Sequence, residues 1–298
     1  MLTGIRIVFL GGDARQLEVI RKCVEMDAVV SAAGFEKWET PSPGVNLEQL
    51  SPELLGNADV LVLPTVGCDE EGNINALFSS GRLQLLEEHA AALPEGCTVY
   101  TGMAKSYLRS LCARHKLKLV ELLNRDDVAI YNSIPTAEGA LVMAIQNTDF
   151  TIHGSTSMVL GMGRTGFTMA RALQGLGSTV KVGVRKQDHY ARAEEMGWKP
   201  FMTGELLTQV GDTDLIFNTI PSMIITAQIL SRVPKSSVII DLASAPGGCD
   251  FRYAEKRGIK AMLAPGLPGI VAPKSAGMIM GNALVQSISE EILTKGDQ

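Results

Sequence analysis

The 298-residue chain has few of the residues that build disulfide frameworks or zinc centres. Its five cysteines are odd in number, lie far apart and form no Cys-x-x-Cys pair. We therefore expect neither a disulfide-stapled fold nor a metal site. This cysteine usage is typical of the reducing cytosol.

Basic charge and long apolar runs are also scarce. The chain has 27 Lys and Arg against 32 Asp and Glu, a formal net charge of −5. Because phosphate backbones are bound by basic faces, nucleic acid is not an expected partner. No apolar run approaches the ~18 residues of a membrane span, and the run at 5–10 is too short for an export signal. We expect a soluble, intracellular protein.

Histidine is the third shortage, with only His89, His115, His153 and His189. A 2-hydroxyacid dehydrogenase of two-domain build would carry its acid–base histidine after residue 189, where this chain has none. A lactate-type reaction is thus disfavoured. The proton carrier must be Lys, Asp or Glu, or the reaction must need little acid–base help.

Glycine, in contrast, is abundant at 30 residues, and short apolar runs alternate with helical patterns. This alternation is typical of parallel strands joined by crossover helices. We expect an α/β fold of two Rossmann-like domains: an α/β substrate domain over 1–148 and a doubly wound NADP-binding domain over 149–272. Residues 273–298 would return to the first domain as a helix. Two such domains leave a cleft that can close during hydride transfer.

The predicted elements follow this pattern. In the first half, strands are predicted near residues 5–10, 28–33, 59–63, 97–101 and 117–122, and helices near 14–26, 82–92, 104–114 and 136–147. In the second half, strands are predicted near 157–161, 179–184, 198–201, 214–218, 237–241 and 260–263, with a last helix over 273–294.

The strongest motif is Gly161-Met162-Gly163-Arg164-Thr165-Gly166, which follows an apolar run and opens a helical pattern. In dinucleotide sites the first glycine permits the tight turn, the second lets the backbone approach the pyrophosphate, and the third lets helix and strand pack closely. The helix N-terminus offers N–H groups to the phosphates. We predict cofactor contacts at Gly161, Gly163, Arg164, Thr165 and Gly166, with a purely structural turn as the alternative.

The end of the next predicted strand bears on the choice of cofactor. Arg185 and Lys186 stand about 19 residues after Gly166, where an NAD-preferring site has Asp or Glu for the ribose 2′-OH. Two cations suit a 2′-phosphate instead, and His189 could add a third contact. We therefore predict NADP, with a solvated basic turn as the alternative.

Polar residues also end the fourth and fifth strands of this half. Doubly wound sheets bind ligands beyond the carboxyl ends of their strands. We predict further cofactor contacts there, with structural turns as the alternative. The residues are Asn218, Thr219, Pro221, Asp241 and Ser244.

The first half has its own glycine turn, Gly11-Gly12-Asp13-Ala14-Arg15, without a third glycine. Such a turn suits a small anion better than a dinucleotide, because helix N–H groups and an arginine meet there. We predict that Gly11, Gly12, Asp13 and Arg15 hold a substrate carboxylate, with Asp13 capping the helix. The alternative is a turn that only closes the strand onto its helix.

A second group of polar residues is predicted to complete the substrate site. It consists of cations and neutral donors: Arg125, Asn132, Ser133, Thr136 and Lys274. The candidates for a role in catalysis are Arg15, Ser133, Thr136 and Lys274. As alternatives, Ser133 and Thr136 would cap a helix and Lys274 would be a solvated surface lysine.

Three longer strings resemble a known family. Residues 10–16, 125–136 and 264–274 are LGGDARQ, RDDVAIYNSIPT and APGLPGIVAPK. They are similar to the A subunit of dipicolinate synthase from spore-forming Bacilli, and the resemblance extends over essentially the whole chain.

The resemblance implies a sporulation enzyme of the mother-cell cytoplasm. Together with a flavoprotein-like B subunit, it would oxidise dihydrodipicolinate, or its hydrated precursor, to dipicolinate. Because this oxidation creates an aromatic ring, placement of the substrate matters more than a strong base. We also expect a homo-oligomer such as a dimer. The alternatives are an NADP-dependent reductase of another small keto or amino acid, and a non-catalytic NADP-binding protein with a regulatory or scaffold role.

Overall fold

The computed structural model describes residues 1–296, and the chain forms two compact units. The first comprises Met1–Ala129 and the segment that begins at Pro273, and the second comprises Ile130–Ala272. Each unit has a six-stranded sheet whose neighbouring strands are parallel. The predicted α/β fold of two Rossmann-like domains is confirmed.

The first unit has the strand order β3-β2-β1-β4-β7-β8, and β5 and β6 form a separate antiparallel pair. Its strands are β1 (Arg6–Leu10), β2 (Val29–Ala33), β3 (Val45–Glu48), β4 (Val60–Val62), β5 (Asn73–Ile74), β6 (Leu83–Gln84), β7 (Thr98–Thr101) and β8 (Lys118–Glu121). Its helices are α1 (Ala14–Glu25), α2 (Pro52–Leu55), α3 (Glu87–Ala92) and α4 (Ser106–Arg114), and α5 (Asp126–Asn147) begins in this unit. Consecutive β1 residues are buried because a parallel sheet is covered on both faces.

The second unit has the strand order β11-β10-β9-β12-β13-β14. Its strands are β9 (Thr156–Leu160), β10 (Thr179–Val184), β11 (Lys199–Met202), β12 (Leu215–Asn218), β13 (Val238–Asp241) and β14 (Lys260–Leu263). Its helices are α6 (Arg164–Gly175), α7 (Gln187–Glu195), α8 (Leu206–Gln209), α9 (Ala227–Leu230), α10 (Phe251–Arg257) and α11 (Leu267–Val271). The strand order reverses between β9 and β12, and this switch point is where such sheets bind ligands.

The last helix, α12 (Pro273–Gly296), packs against α1 in the first unit, as predicted. Two glycines allow the close approach. A Cβ on Gly277 would lie 2.4 Å from the carbonyl oxygen of Arg15, and one on Gly281 would lie 3.1 Å from Cβ of Lys22. Larger side chains at these positions would push the helices apart.

Some elements of the first unit differ from the prediction. The short edge strand β3 was not expected, because three of its four residues are exposed and it has no apolar run. The helix α2 was also missed. The helix predicted over 82–92 begins only at Glu87, since Leu83 and Gln84 pair with β5.

The largest difference is α5, which was predicted over residues 136–147. The helix instead begins at Asp126 and continues through Pro135. Two hydroxyls bond to carbonyls in the turn before the proline: Ser133 Oγ donates to Ile130 O at 2.6 Å and Thr136 Oγ1 donates to Asn132 O at 2.8 Å. Proline removes the donor to the carbonyl four residues earlier, that of Tyr131, and the two hydroxyls bond to the carbonyls on either side of it. Ser133 and Thr136 are therefore helix-interior residues, and their alternative role as caps is wrong.

This continuous helix also affects two other expectations. The chain divides between Ala129 and Ile130, inside α5, whereas the first domain was expected to end at residue 148. By length and composition α5 is apolar enough to cross a membrane, which the sequence pattern did not indicate. Its residues Ala137, Ala140 and Ala144 are buried in the core of the second unit, as in the core helix of a globular domain.

A polar cluster connects α12 to the sheet of the first unit. Glu291 accepts hydrogen bonds from Thr98 Oγ1 and the Tyr100 hydroxyl, both at 3.0 Å, and from Lys118 Nζ. Burial disfavours the charged carboxylate, but these bonds outweigh burial and lower the pKa of Glu291 below its ordinary 4.5. The carboxylate is therefore ionised at neutral pH and holds the helix through three donors.

Replacing Glu291 by alanine should destabilise the first unit by about 1–3 kcal/mol, because Tyr100 and Thr98 lose a charged acceptor. The measurement is urea denaturation followed by Trp38 fluorescence in a Trp198→Phe background, since Trp38 then reports the first unit alone. Glu290→Ala, at an exposed neighbouring position, is the matched control. A lowered carboxyl pKa stabilises the fold above the unfolded pKa, so the effect should shrink as the pH falls through the folded pKa, below 4.5. Equal stability of the two variants at pH 7 would contradict this role.

Candidate functional site

The glycine turn after β9 has the shape of a phosphate-binding loop. Gly161 has a φ of +96°, and a Cβ there would lie 2.5 Å from Thr219 Oγ1. A Cβ on Gly166 would lie 2.1 Å from the carbonyl oxygen of Gly161, so α6 contacts the turn directly. At Gly163 the Cβ position has nothing within 4 Å. The three positions fit the tight turn, the close packing and the open approach of a dinucleotide loop.

Gly163 is also the N-cap of α6, and no side chain of the described residues makes a capping hydrogen bond there. The N–H groups of the first turn and the positive end of the helix dipole are therefore available to an anion. Arg164 and Thr165, the first two residues of the helix, line the cleft in front of the turn. This arrangement suits a pyrophosphate.

The cleft has a volume of about 380 Å³. Its residues come from the glycine turn, the end of β10, α7 and the segment after β12: Gly161, Met162, Gly163, Arg164, Thr165, Gly183, Val184, Arg185, Lys186, His189, Thr219, Ile220 and Pro221. This lining contains three cations and no Asp or Glu. Arg185 and Lys186 are exposed, so both side chains can turn towards a bound anion. The cleft therefore fits a dinucleotide with several phosphates.

The structure corrects the predicted cofactor contacts of Asn218 and Asp241, whose side chains are fully buried. Asp241 accepts hydrogen bonds from Asn218 Nδ2 at 2.9 Å, Ala243 N–H at 3.0 Å and Gly248 N–H at 2.7 Å. A buried carboxylate needs such donors, and these come from its own loop and the neighbouring strand. The two residues shape the edge of the sheet and do not reach the cleft. Ser244 is exposed in the same loop and is not part of the cleft lining.

The backbone of the glycine turn in the first unit is not available to an anion. Gly11 N–H donates to Ala33 O at 2.9 Å, and Gly12 N–H donates to Asn75 O at 2.7 Å. Both amides are used to close the turn, so the predicted role of Gly11 and Gly12 as carboxylate donors is wrong. The backbone pairing of this loop was not visible in the sequence.

Asp13 caps α1, with its Oδ1 accepting from Arg15 N–H at 3.0 Å. The same carboxylate pairs with the Arg15 guanidinium, at 2.7 Å from Nη2. Burial disfavours ionisation of Asp13, but the bonds and charge of Arg15 outweigh it and lower the pKa of this carboxyl. Arg15 is therefore a neutralised cation, and its predicted role as an unpaired charge for the substrate needs correction.

The second group of predicted substrate residues is divided between the two units and forms no single cluster within either of them. Arg125 is paired with Asp127 at 2.7 Å and also donates to Gln286. Ser133 is buried and hydrogen-bonds Thr168 Oγ1 at 2.6 Å, so it joins α5 to α6. Lys274 is exposed in the first turn of α12. Arg125 and Lys274 belong to the first unit, whereas Asn132, Ser133 and Thr136 belong to the second.

A small pocket in the first unit lies beside α1 and the carboxyl ends of β4 and β7. Its volume is about 10 Å³, and Arg15, Gln16, Thr65 and Thr101 provide its polar lining. Gln16 was not among the predicted site residues. The only sequence signal was its place in the first turn after the glycines, and a single glutamine on a helix carries no pattern of its own.

Comparison with known proteins agrees with this geometry. Residues 6–123 match the family described as the N-terminal domain of the dipicolinate synthase A subunit, and residues 133–296 match the alanine dehydrogenase/PNT C-terminal domain. The chain is 48% identical to the dipicolinate synthase A subunit of Bacillus subtilis (strain 168), over 97% of this chain and 98% of the relative. The match of residues 133–296 indicates a dehydrogenase-type domain that binds a nicotinamide dinucleotide.

Two solved structures extend the comparison. The dipicolinate synthase A subunit from Bacillus halodurans superposes with a TM-score of 0.93 at 48% identity, covering 96% of this chain and 98% of that one. The transhydrogenase from Sinorhizobium meliloti gives a TM-score of 0.71 at 15% identity, covering 96% and 94%, which shows a shared fold alone.

Proposed function

The chain belongs to the family of dipicolinate synthase A subunits, and from that premise we propose that it oxidises dihydrodipicolinate, or its hydrated precursor, to dipicolinate with NADP. The observation that carries the choice of cofactor is the cleft of the second unit, where Arg185 and Lys186 line the end of β10 and the lining contains no Asp or Glu. NAD-preferring sites place an acidic residue at the end of the second strand of such a domain. Here that position carries two cations.

Different residues of the cleft would bind different parts of the cofactor. When bound, the nicotinamide ring supplies the hydride acceptor. The open surface at Gly163 and the first turn of α6 would bind the pyrophosphate, and Thr219 closes the turn by donating to Leu160 O at 2.8 Å. Arg185 would hold the 2′-phosphate, and Lys186 and His189, which line the same cleft, would add to this contact.

The reaction is balanced without a further oxidant. One hydride and one proton leave the dihydropyridine ring, so dihydrodipicolinate and NADP⁺ give dipicolinate, NADPH and H⁺; the hydrated precursor loses one water in addition. The product ring is aromatic, so correct placement of the substrate contributes more than a strong base. Among the candidates, Lys274 is an exposed cation, whereas Arg15 and Arg125 are paired with Asp13 and Asp127 and would offer the carboxylates only the N–H groups that those pairs leave unused. We also propose, from the family resemblance, that the protein acts in the cytoplasm as a homo-oligomer with the B subunit.

The test is turnover by the purified chain, with and without the B subunit. NADPH is followed by absorbance and dipicolinate by chromatography, with NADP, NAD or no cofactor. We expect equimolar NADPH and dipicolinate, formed faster with NADP than with NAD. Dipicolinate formation that does not depend on added NADP would contradict the proposal. Turnover of pyruvate or another keto acid alone would favour the reductase, and no NADP turnover under any condition would favour a non-catalytic role.

A further inference from the structure

The small pocket of the first unit contains a polar side chain without a partner. Gln16 is only 5% exposed, and its Nε2 makes no hydrogen bond with any described residue. An unpaired buried amide destabilises a fold, because it loses its hydration and gains nothing in return. Native proteins retain few such groups, and each calls for an explanation.

Arg15 lines the same pocket and is held in place by Asp13. Its Nε and Nη2 bond to the Asp13 carboxylate at 2.7–3.2 Å, which occupies two of the five N–H groups of a guanidinium. The remaining three have no partner among the described residues. Two adjacent residues of α1 therefore line the pocket and keep unpaired donors, and the Arg15 side chain is fixed in orientation by its ion pair.

A carboxylate is the group that fits these donors. It only accepts hydrogen bonds, and one oxygen can take donors from both side chains. The pocket volume of about 10 Å³ accommodates one water-sized group, so a carboxylate oxygen can enter while the rest of a ligand stays outside. Thr101 Oγ1 already donates to Pro64 O at 2.6 Å, so it does not compete for the ligand.

We propose that Gln16, together with Arg15, holds one carboxylate of the dicarboxylate substrate. The anion site thereby moves from the backbone of Gly11 and Gly12 to two side chains in the first turn of α1. The inference rests on the proposed function, because it takes the substrate to be dihydrodipicolinate. It also explains why the fold keeps a buried amide that none of the described residues satisfies.

The test is calorimetric binding of dipicolinate to the full chain with saturating NADP. Gln16→Met keeps length and helix preference but removes the donor. We expect the dipicolinate Kd to rise about 10- to 100-fold, as for the loss of a hydrogen bond to a charged group. The KM for dihydrodipicolinate should rise with it while kcat changes little. Gln49→Met, at an exposed position of the same unit, should change neither value.

Thermal melting of the proteins without added ligand separates binding from structure. The Tm of Gln16→Met should be unchanged or higher, because an unpaired amide has been removed. An unchanged Kd in a Gln16→Met protein that still turns over would overturn the inference and leave the proposed function intact. A lowered Tm with an unchanged Kd would also overturn it, since the pocket would then hold a structural water. Wild-type protein that shows neither dipicolinate binding nor turnover would overturn the proposed function as well.

Discussion

Gly166→Ala should lower the affinity for NADP by about 100-fold or more. The added Cβ would lie 2.1 Å from the carbonyl oxygen of Gly161, which belongs to the backbone and cannot rotate away. Either α6 or the phosphate turn must move, and the N–H groups of the helix then no longer face the pyrophosphate. The measurement is equilibrium binding of NADP by calorimetry.

Two other glycines, one in the same helix and one at its N-cap, separate the loss of binding from a loss of folding. Gly175→Ala has open space around its Cβ and should bind NADP normally, with stability raised by about 0.4–1 kcal/mol. The Cβ of Gly163→Ala also has no atom of the described residues within 4 Å, yet its methyl group would occupy the surface at which the phosphates are expected to bind. This variant should fold normally and bind NADP weakly. Wild-type affinity in Gly166→Ala would show that this turn does not hold the cofactor.

The second large effect concerns the choice between NADP and NAD. Arg185→Ala should weaken NADP binding by about 10- to 100-fold and leave NAD binding nearly unchanged, because only NADP has the 2′-phosphate. Arg185 is exposed at the end of β10 and lines the cleft, so its loss should not affect folding.

The matched control is Arg192→Ala on α7. Arg192 is also an exposed arginine, but it pairs with Glu195 at 2.8 Å and does not line the cleft. Its removal should leave both affinities unchanged. Equal weakening of NADP and NAD in Arg185→Ala, or tighter binding of NAD by the wild type, would contradict NADP specificity.

The fold could be predicted from the sequence because buried parallel strands appear as short apolar runs, and these runs alternate with the helical patterns of the crossover helices. The four inner strands of the second unit, β9, β10, β12 and β13, follow this pattern. The exposed strand β3 has no such run, and α5 continues through a proline, with the Ser133 and Thr136 hydroxyls bonded to carbonyls of the preceding turn. Both departures depend on surroundings that a local pattern does not record.

The parts of the candidate site that depend on backbone geometry could be predicted from the sequence. The parts that depend on which side chains pair with each other could not. The glycine turn after β9 has fixed spacing, so Gly161, Gly163 and Gly166 could be placed in advance. Arg15 was predicted as an unpaired cation, yet it turns back to an aspartate two residues away. Whether Arg15 pairs with Asp13 or stays available for a ligand depends on how the two side chains are buried in the fold. Burial likewise leaves the Gln16 amide nitrogen without a partner among the described residues.

The most direct test of the central claim is the fate of the substrate hydrogens. Dihydrodipicolinate labelled with deuterium at its saturated ring carbons is incubated with the purified protein and NADP, and the reduced cofactor is analysed by mass spectrometry. Hydride transfer predicts one deuterium in NADPH for each dipicolinate formed, with the second released to water. Dipicolinate that forms while all lost deuterium appears in water and NADP stays oxidised would contradict the account.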